Sequence, residues 1–197
     1  MKRLVLVLLA MIASISPVLA SEAVSLPWLV DTVQTCRHGV GTRIMTATVI
    51  WEHRGAVWPW TIGVNATPHA SYRFKTETAA IEKAQDLYAQ GFRSLDIGLA
   101  QVNTTNFADY GLTNDGAPDF VRAFDPCENV LVGSQILGAF YRAASAKYGP
   151  GPYALYVASR AYNTGSFLYG DDYARSVWQI AASLPAWVGA PAPVGAQ

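Results

Sequence analysis

From Thr42 to Trp51 the chain is apolar on nearly every side (Ile44, Met45, Ala47, Val49, Ile50, Trp51), and the run ends in a carboxylate, Glu52. A helix with no polar face persists in water only when other elements enclose it. The chain must therefore build a core around this segment and still find room for an ionisable group at its end. Met45, Val49 and Glu52 fall at i, i+4 and i+7, on one helical face, and Gly55 and Pro59 stop the helix soon afterwards. Spacing alone leaves two readings of Glu52 open. One is a surface glutamate at a helix C-terminus. The other is an acid whose pKa is raised by apolar surroundings, with Trp51, Trp58 and Trp60 close in sequence and with ring faces that suit sugars. Cleaving a glycosidic bond near neutral pH needs an acid of the second kind, because the leaving group must be protonated.

Further elements can be read around this helix. Leu26 to Cys36 predicts a short first helix, broken by Gly39 and Gly41. The β-branched and aromatic runs Thr61-Ile62-Gly63-Val64 and Tyr72-Arg73-Phe74 predict a small hairpin. Thr76 can cap a helix with Glu77 in its first turn, apolar residues at Ile81, Ala84, Leu87 and Tyr88, and Gly91 as terminator. The clearest start signal is Asp125-Pro126-Cys127-Glu128, a cap carboxylate followed by proline at the first helical position and glutamate three residues after the cap. The long helix that it opens runs to Gly149-Pro150, and two more follow from about Tyr153 to Asn163 and from about Asp171 to Leu184. The expectation is a mainly α (α+β) fold with one hairpin.

At the N-terminus, Lys2 and Arg3 precede an apolar run from Leu4 to Ile15, and Val18 and Ala20 fit a signal-peptidase site. Residues 1–20 read as a signal peptide. The alternative, a retained anchor, is disfavoured because the apolar run falls short of the roughly 20 residues a spanning helix needs. Residues 21–184 read as one domain, and 185–197, rich in Pro, Ala and Gly, as a flexible tail. Export to the periplasm would favour joining the two cysteines, Cys36 and Cys127, the alternative being two buried inert thiols. Loss of Lys2 and Arg3 takes Lys+Arg from 14 to 12 against 14 Asp+Glu, about two charges negative. That balance gives no electrostatic reason to bind nucleic acid and no basic membrane patch.

Other chemistry-bearing residues are less pointed. His38, His53 and His69 lack metal-ligand spacing, Ser94, Ser134 and Ser159 lack a nucleophile-elbow context, and no phosphate-binding glycine loop is present, so neither a metal nor a cofactor is expected. Asn65-Ala66-Thr67 and Asn103-Thr104-Thr105 are sequons by pattern only. Asp96 is open between a loop aspartate bonded to local backbone and a second carboxylate facing Glu52.

Five segments together carry a resemblance. They are Trp51-Glu52-His53-Arg54-Gly55 with Pro59-Trp60-Thr61-Ile62, Tyr72 to Thr76, Asp96 to Asn103, Phe124 to Asn129, and Ala161-Tyr162-Asn163-Thr164-Gly165. In order and spacing they resemble the soluble lytic transglycosylases, in particular the accessory transglycosylases of type IV secretion, conjugation and related envelope machines. The resemblance runs from about residue 28 to about 182. It implies a lysozyme-like domain with Glu52 as the single catalytic residue. It also implies a glycan groove lined by Gln101, Tyr162 and Asn163, with His53, Trp60 and Asn103 as further sugar contacts. The substrate implied is peptidoglycan, cut between N-acetylmuramic acid and N-acetylglucosamine without water, and the partner implied is a secretion or conjugation apparatus. Two positions depart from the pattern. His53 stands where the family usually has serine and could hold the acid ionised or bond the sugar. Ala100 stands where methionine is usual and is expected only to enlarge an apolar wall. A water-using muramidase and a peptidoglycan-binding assembly factor without activity are the rival readings.

Overall fold

A computed structural model describes residues 23–189; the expected signal peptide lies outside the described residues. The fold is mainly α and lysozyme-like, with a small antiparallel sheet on one side of a helical body.

Each helix begins and ends where local chemistry allows. Helix α1 (Leu26–Cys36) is capped by Ser25, whose hydroxyl accepts from the Trp28 N–H. Helix α2 (Thr42–Glu52) is the enclosed one, with Met45, Ala47 and Val49 fully buried. Helix α3 (Glu77–Ala89) is capped by Thr76. A five-residue helix α4 (Phe120–Phe124), which the sequence pattern did not mark, precedes α5 (Pro126–Tyr148). The Asp125 carboxylate accepts from the Glu128 N–H at 2.8 Å, as the cap signal predicts, and Gly149 ends α5 at φ +80°. Helices α6 (Pro152–Thr164) and α7 (Asp171–Ser183) complete the body. Helix α5 packs on α1 and α6, and α7 on α2 and α6, so α2 is closed in on several sides.

The sheet is larger than the expected hairpin. Strands β1 (Thr61–Val64) and β2 (Ala70–Arg73) form that hairpin, but β1 also pairs with β3 (Leu95–Ile97), which pairs with β4 (Val102–Asn103). The order is β2-β1-β3-β4, all antiparallel. Gly63 faces Asp96 across one ladder and Asp96 faces Asn103 across the next. A second ribbon pairs β5 (Thr113–Asn114) with β6 (Ala117–Pro118).

Cys36 at the end of α1 and Cys127 in the first turn of α5 are joined in a disulfide, Cα atoms 5.1 Å apart. The bond closes a 91-residue separation, which stabilises by roughly 4–5 kcal/mol in the chain-entropy description. At the other end of the chain, Arg43 of α2 donates to the carbonyls of Ala181 and Leu184, at 2.8 and 2.9 Å, and to that of Pro185 at 2.7 Å. It thereby satisfies orphan acceptors at the end of α7. Of the segment expected as a tail, Pro185–Gly189 is described, and Val188 within it is buried; residues 190–197 lie outside the described residues.

Candidate active site

Glu52 is the last residue of α2, and its half-buried carboxylate opens into a cleft between the helical body and the sheet. Its Oε1 accepts a 2.7 Å hydrogen bond from the Tyr173 hydroxyl. Tyr173 sits in the first turn of α7, is buried, and holds its ring edge-on to Trp51 at 4.5 Å between centroids. Loss of water around the carboxylate raises the Glu52 pKa from 4.5 to about 7, opposed by the Tyr173 hydrogen bond and reinforced by the negative charge of Asp96. The group can therefore hold a proton near neutrality and still be a competent base after giving it up.

The far wall is built by a tight turn between β3 and β4. Gly98 adopts φ +77°, and a Cβ there would lie 2.6 Å from the Asn129 side-chain nitrogen. Asn129, fully buried on α5, accepts from the Ala100 N–H at 2.7 Å and donates to the carbonyls of Ile97 and Ala123, both at 2.8 Å. One amide therefore fixes the turn to the helical body. Gln101 follows in the left-handed region at φ +48°, a conformation uncommon for a residue with a side chain and frequent at functional sites. Its side-chain amide donates to the Gly98 carbonyl at 2.8 Å. Tyr162 donates from α6 to the Ala100 carbonyl at 2.7 Å. Burial, with the charges of Glu52 and Asp96 adding, holds its phenol well above the ordinary value, so it remains a donor.

Asp96 stands in the same cleft, held by amides on both sides. Asn103 donates to one carboxylate oxygen and Asn65 to the other, each at 2.7 Å. Both amides also reach the Ser94 hydroxyl. Burial raises the Asp96 pKa and the two amides pull it back.

The cleft consists of two adjoining cavities, of about 840 and 600 Å³, that share Asn65 and Gln101. Glu52, Arg54, His69 and Arg73 line the first, and Asp96, Asn103, Phe140, Tyr162 and Asn163 the second. Five of the residues singled out in sequence, Glu52, Gln101, Asn103, Tyr162 and Asn163, are thus brought to one surface.

Three expectations are corrected. His53 is 1% exposed, with Nε2 2.9 Å from the Leu99 carbonyl oxygen and Nδ1 accepting from the Trp58 N–H. Burial, helped by the nearby Arg73 charge, lowers its pKa to about 4, so it is a neutral brace under the turn that lines neither cavity and bonds Leu99 and Trp58 instead of Glu52. The cause is rotational: adjacent residues at a helix end point about 100° apart. Trp60 lines neither cavity; it packs on the core with its indole N–H buried and unpartnered. Ala100 enlarges no wall, since its methyl is buried against Gly133 of α5, where even a Cβ would approach it to 2.4 Å. Ser134 and Ser159 bond local backbone carbonyls, and among the described residues no group of three or more His, Cys, Asp or Glu is placed to hold a metal ion.

Two site residues were missed. Tyr173 lies in an ordinary apolar stripe with Val177 and Ala181, and nothing local distinguishes it from a core aromatic. Asn65 was noted only for its sequon.

Comparison with known proteins adds an independent line. The family model described as Transglycosylase SLT domain matches residues 74–181, a stretch that begins beyond Glu52. The "Type IV secretion system protein virB1" of Brucella suis biovar 1 is 36% identical over 145 residues, 73% of this chain and 56% of that protein. The "Protein virB1" of Agrobacterium fabrum is 38% identical over 93 residues, 46% of this chain and 35% of that protein. The chain spans about half the length, or less, of these curated relatives. No solved structure matches the chain.

Proposed function

The chain belongs to the transglycosylase SLT domain family, and from that premise we propose that it cleaves peptidoglycan glycan strands with Glu52 as the one acid and base. The observation that carries the reading is the Glu52 carboxyl itself. It is desolvated to a pKa of about 7, oriented by the Tyr173 hydroxyl, and open to a cleft of two adjoining cavities.

In the proposed reaction Glu52 gives its proton to the oxygen bridging N-acetylmuramic acid and N-acetylglucosamine, and the bond from muramic C1 to that oxygen breaks. The substrate's 2-acetamido group supplies neighbouring-group assistance. The muramic six-position hydroxyl then attacks C1, its proton returns to the Glu52 carboxylate, and a 1,6-anhydro ring closes. No water is consumed. Gln101, Asn103, Tyr162 and Asn163 offer donors and acceptors to the sugars, and Arg54 and Arg73 offer positive charge to carboxylates of the substrate's stem peptides.

The organisation that goes with this reading is a signal peptide over residues 1–20, a catalytic domain over 21–184 and a tail over 185–197, acting in the periplasm. No helix among the described residues is long and apolar enough to cross a membrane. The name of the Brucella relative points to service of a type IV secretion apparatus.

Hydrolysis by water is the second reading, and Asp96 in the same cleft is what favours it. The assembly-factor reading drew on His53 beside the acid, and with His53 turned into the core that ground is gone. Mass spectrometry of fragments released from purified sacculi decides. Products one water lighter than reducing-end fragments are expected, and reducing ends alone would overturn the transglycosylase assignment.

A further inference from the structure

Beyond the cleft, four of the seven exposed large apolar side chains among the described residues, Tyr148, Tyr153, Leu168 and Tyr169, lie where α5 ends, α6 begins and α6 turns into α7. Tyr148 and Tyr153 connect to the cleft through rings. Phe140, which lines the second cavity, meets Phe167 edge-on at 6.4 Å; Phe167 meets Tyr148 at 6.4 Å; and Tyr148 meets Tyr153 at 5.5 Å. The loop that carries Phe167, Leu168 and Tyr169 also begins inside the cleft, because Thr164 and Gly165 line it.

This loop is firmly held. Arg160 donates to the Phe167 carbonyl at 3.1 Å and pairs with Asp171 beyond the loop. The Thr164 hydroxyl accepts from the Ser166 N–H at 3.1 Å and lies within bonding distance of the Ser166 and Tyr169 carbonyls. At Gly170, φ +94°, a Cβ would meet the Arg160 carbonyl oxygen at 3.1 Å. Apolar groups fixed in water by such a frame lose little entropy when something covers them, and clustered exposure of this kind marks binding surfaces.

We propose that this shelf is an accessory glycan-binding site that continues the cleft and stacks on sugar rings of the same strand, several residues away from the scissile bond. Tyrosine suits that ligand: its face meets the C–H face of a pyranose while its hydroxyl stays with water and sugar hydroxyls. The proposal rests on the peptidoglycan reading above, because continuity with the cleft is what selects a glycan over a protein. Its consequence is a preference for long strands.

The test is co-sedimentation with protein-free sacculi, scored beside fragment release. It compares wild type, Glu52→Gln, the triple change Tyr153→Ser/Leu168→Ser/Tyr169→Ser, and the pair Tyr153→Phe/Tyr169→Phe. At least a fivefold loss of sacculus binding is expected in the triple variant, with wild-type binding in the phenylalanine pair. Should the triple variant melt early, Tyr153→Ser alone, at a position 58% exposed, is expected to lose at least twofold. Wild-type binding by the serine variants overturns the shelf, whether or not they lose a protein partner or a second copy of the chain. So does equal weakening by the phenylalanine pair. A wild-type protein that binds sacculi but releases nothing would sink the catalytic reading and leave the shelf comparison standing, so the two failures are distinguishable.

Discussion

Glu52 and Asp96 enter the cleft from opposite walls, and the walls treat the two carboxylates differently. Glu52, on the helical side, receives one hydroxyl from Tyr173. Asp96, on the sheet side, receives an amide on each oxygen. Desolvation pushes both pKa values up. What separates them is donor supply, since every hydrogen bond to the charged form opposes that push. A carboxylate with an amide on each oxygen is engaged as an acceptor at both, whereas one with a single phenolic donor keeps an oxygen free for a proton in transit. On the proposed reading, that difference suits Glu52 to proton transfer and Asp96 to a scaffolding or electrostatic part.

The largest expected effect comes from removing the first of the two. Glu52→Gln should reduce fragment release from sacculi at least about a thousandfold, within the range general acid–base groups contribute. Stability should move the other way above neutrality. The folded-state pKa, about 7, lies above the ordinary 4.5, so the folded protein keeps a proton that the unfolded chain releases between those pH values. The resulting stability is fully present below pH 4.5 and is lost as pH rises through about 7, by about 3 kcal/mol. The glutamine side chain does not titrate, so thermal melting should show the variant equal to wild type near pH 4.5 and more stable at pH 8. A variant that melts lower at pH 8 would contradict a desolvated acid.

Next in size is the joint between the walls. Asn129→Ala strands the Ala100 N–H and the carbonyls of Ile97 and Ala123 in the core, at about 1–3 kcal/mol for each unpaired group. We expect a fall of about 10 °C in Tm, on the scaling of about 2–4 °C per kcal/mol for a domain of this size, and a larger loss of turnover than of sacculus binding. Unchanged turnover would mean that the Gly98–Gln101 turn is not what the reaction uses.

What the sequence revealed and what it hid follow the same division between local and distant causes. The caps at Thr76 and Asp125 and the enclosed helix before Glu52 were legible, because each depends on neighbours within a turn. Strands β3 and β4 were not, because three and two residues carry no periodicity and become strands only by pairing with β1 and with each other. Tyr173 was invisible for a related reason. Its stripe reads as core, and only the packing of α7 on α2 brings its hydroxyl to a residue 121 positions away. His53 misled because it adjoins Glu52 in sequence, while the helix end turns the two side chains apart.

Tyr173→Phe tests the helical wall more gently. It removes the one donor that lowers the Glu52 pKa, so the alkaline limb of the pH–rate profile should shift upward. Turnover at the optimum should fall at least about tenfold through lost orientation, the low end of the ~1.5–3 kcal/mol expected of a hydrogen bond to a charged group. A limb that stays in place would show that the hydroxyl does not reach the acid in the working enzyme.

Asp96→Asn is the mildest change and the most discriminating. Its charge is one of the influences that raise the Glu52 pKa, so neutralising it should move the alkaline limb downward, opposite to the Tyr173 variant. The new amide must also meet the side-chain amides of Asn65 and Asn103, of which the single remaining oxygen can satisfy only part. A modest loss of Tm is therefore expected, with turnover kept within about tenfold of wild type, the scale of one hydrogen bond. If turnover instead collapses as far as in Glu52→Gln, the asymmetry between the two carboxylates is wrong. The cleft would then work as a pair of acids activating water, and the released fragments would carry reducing ends.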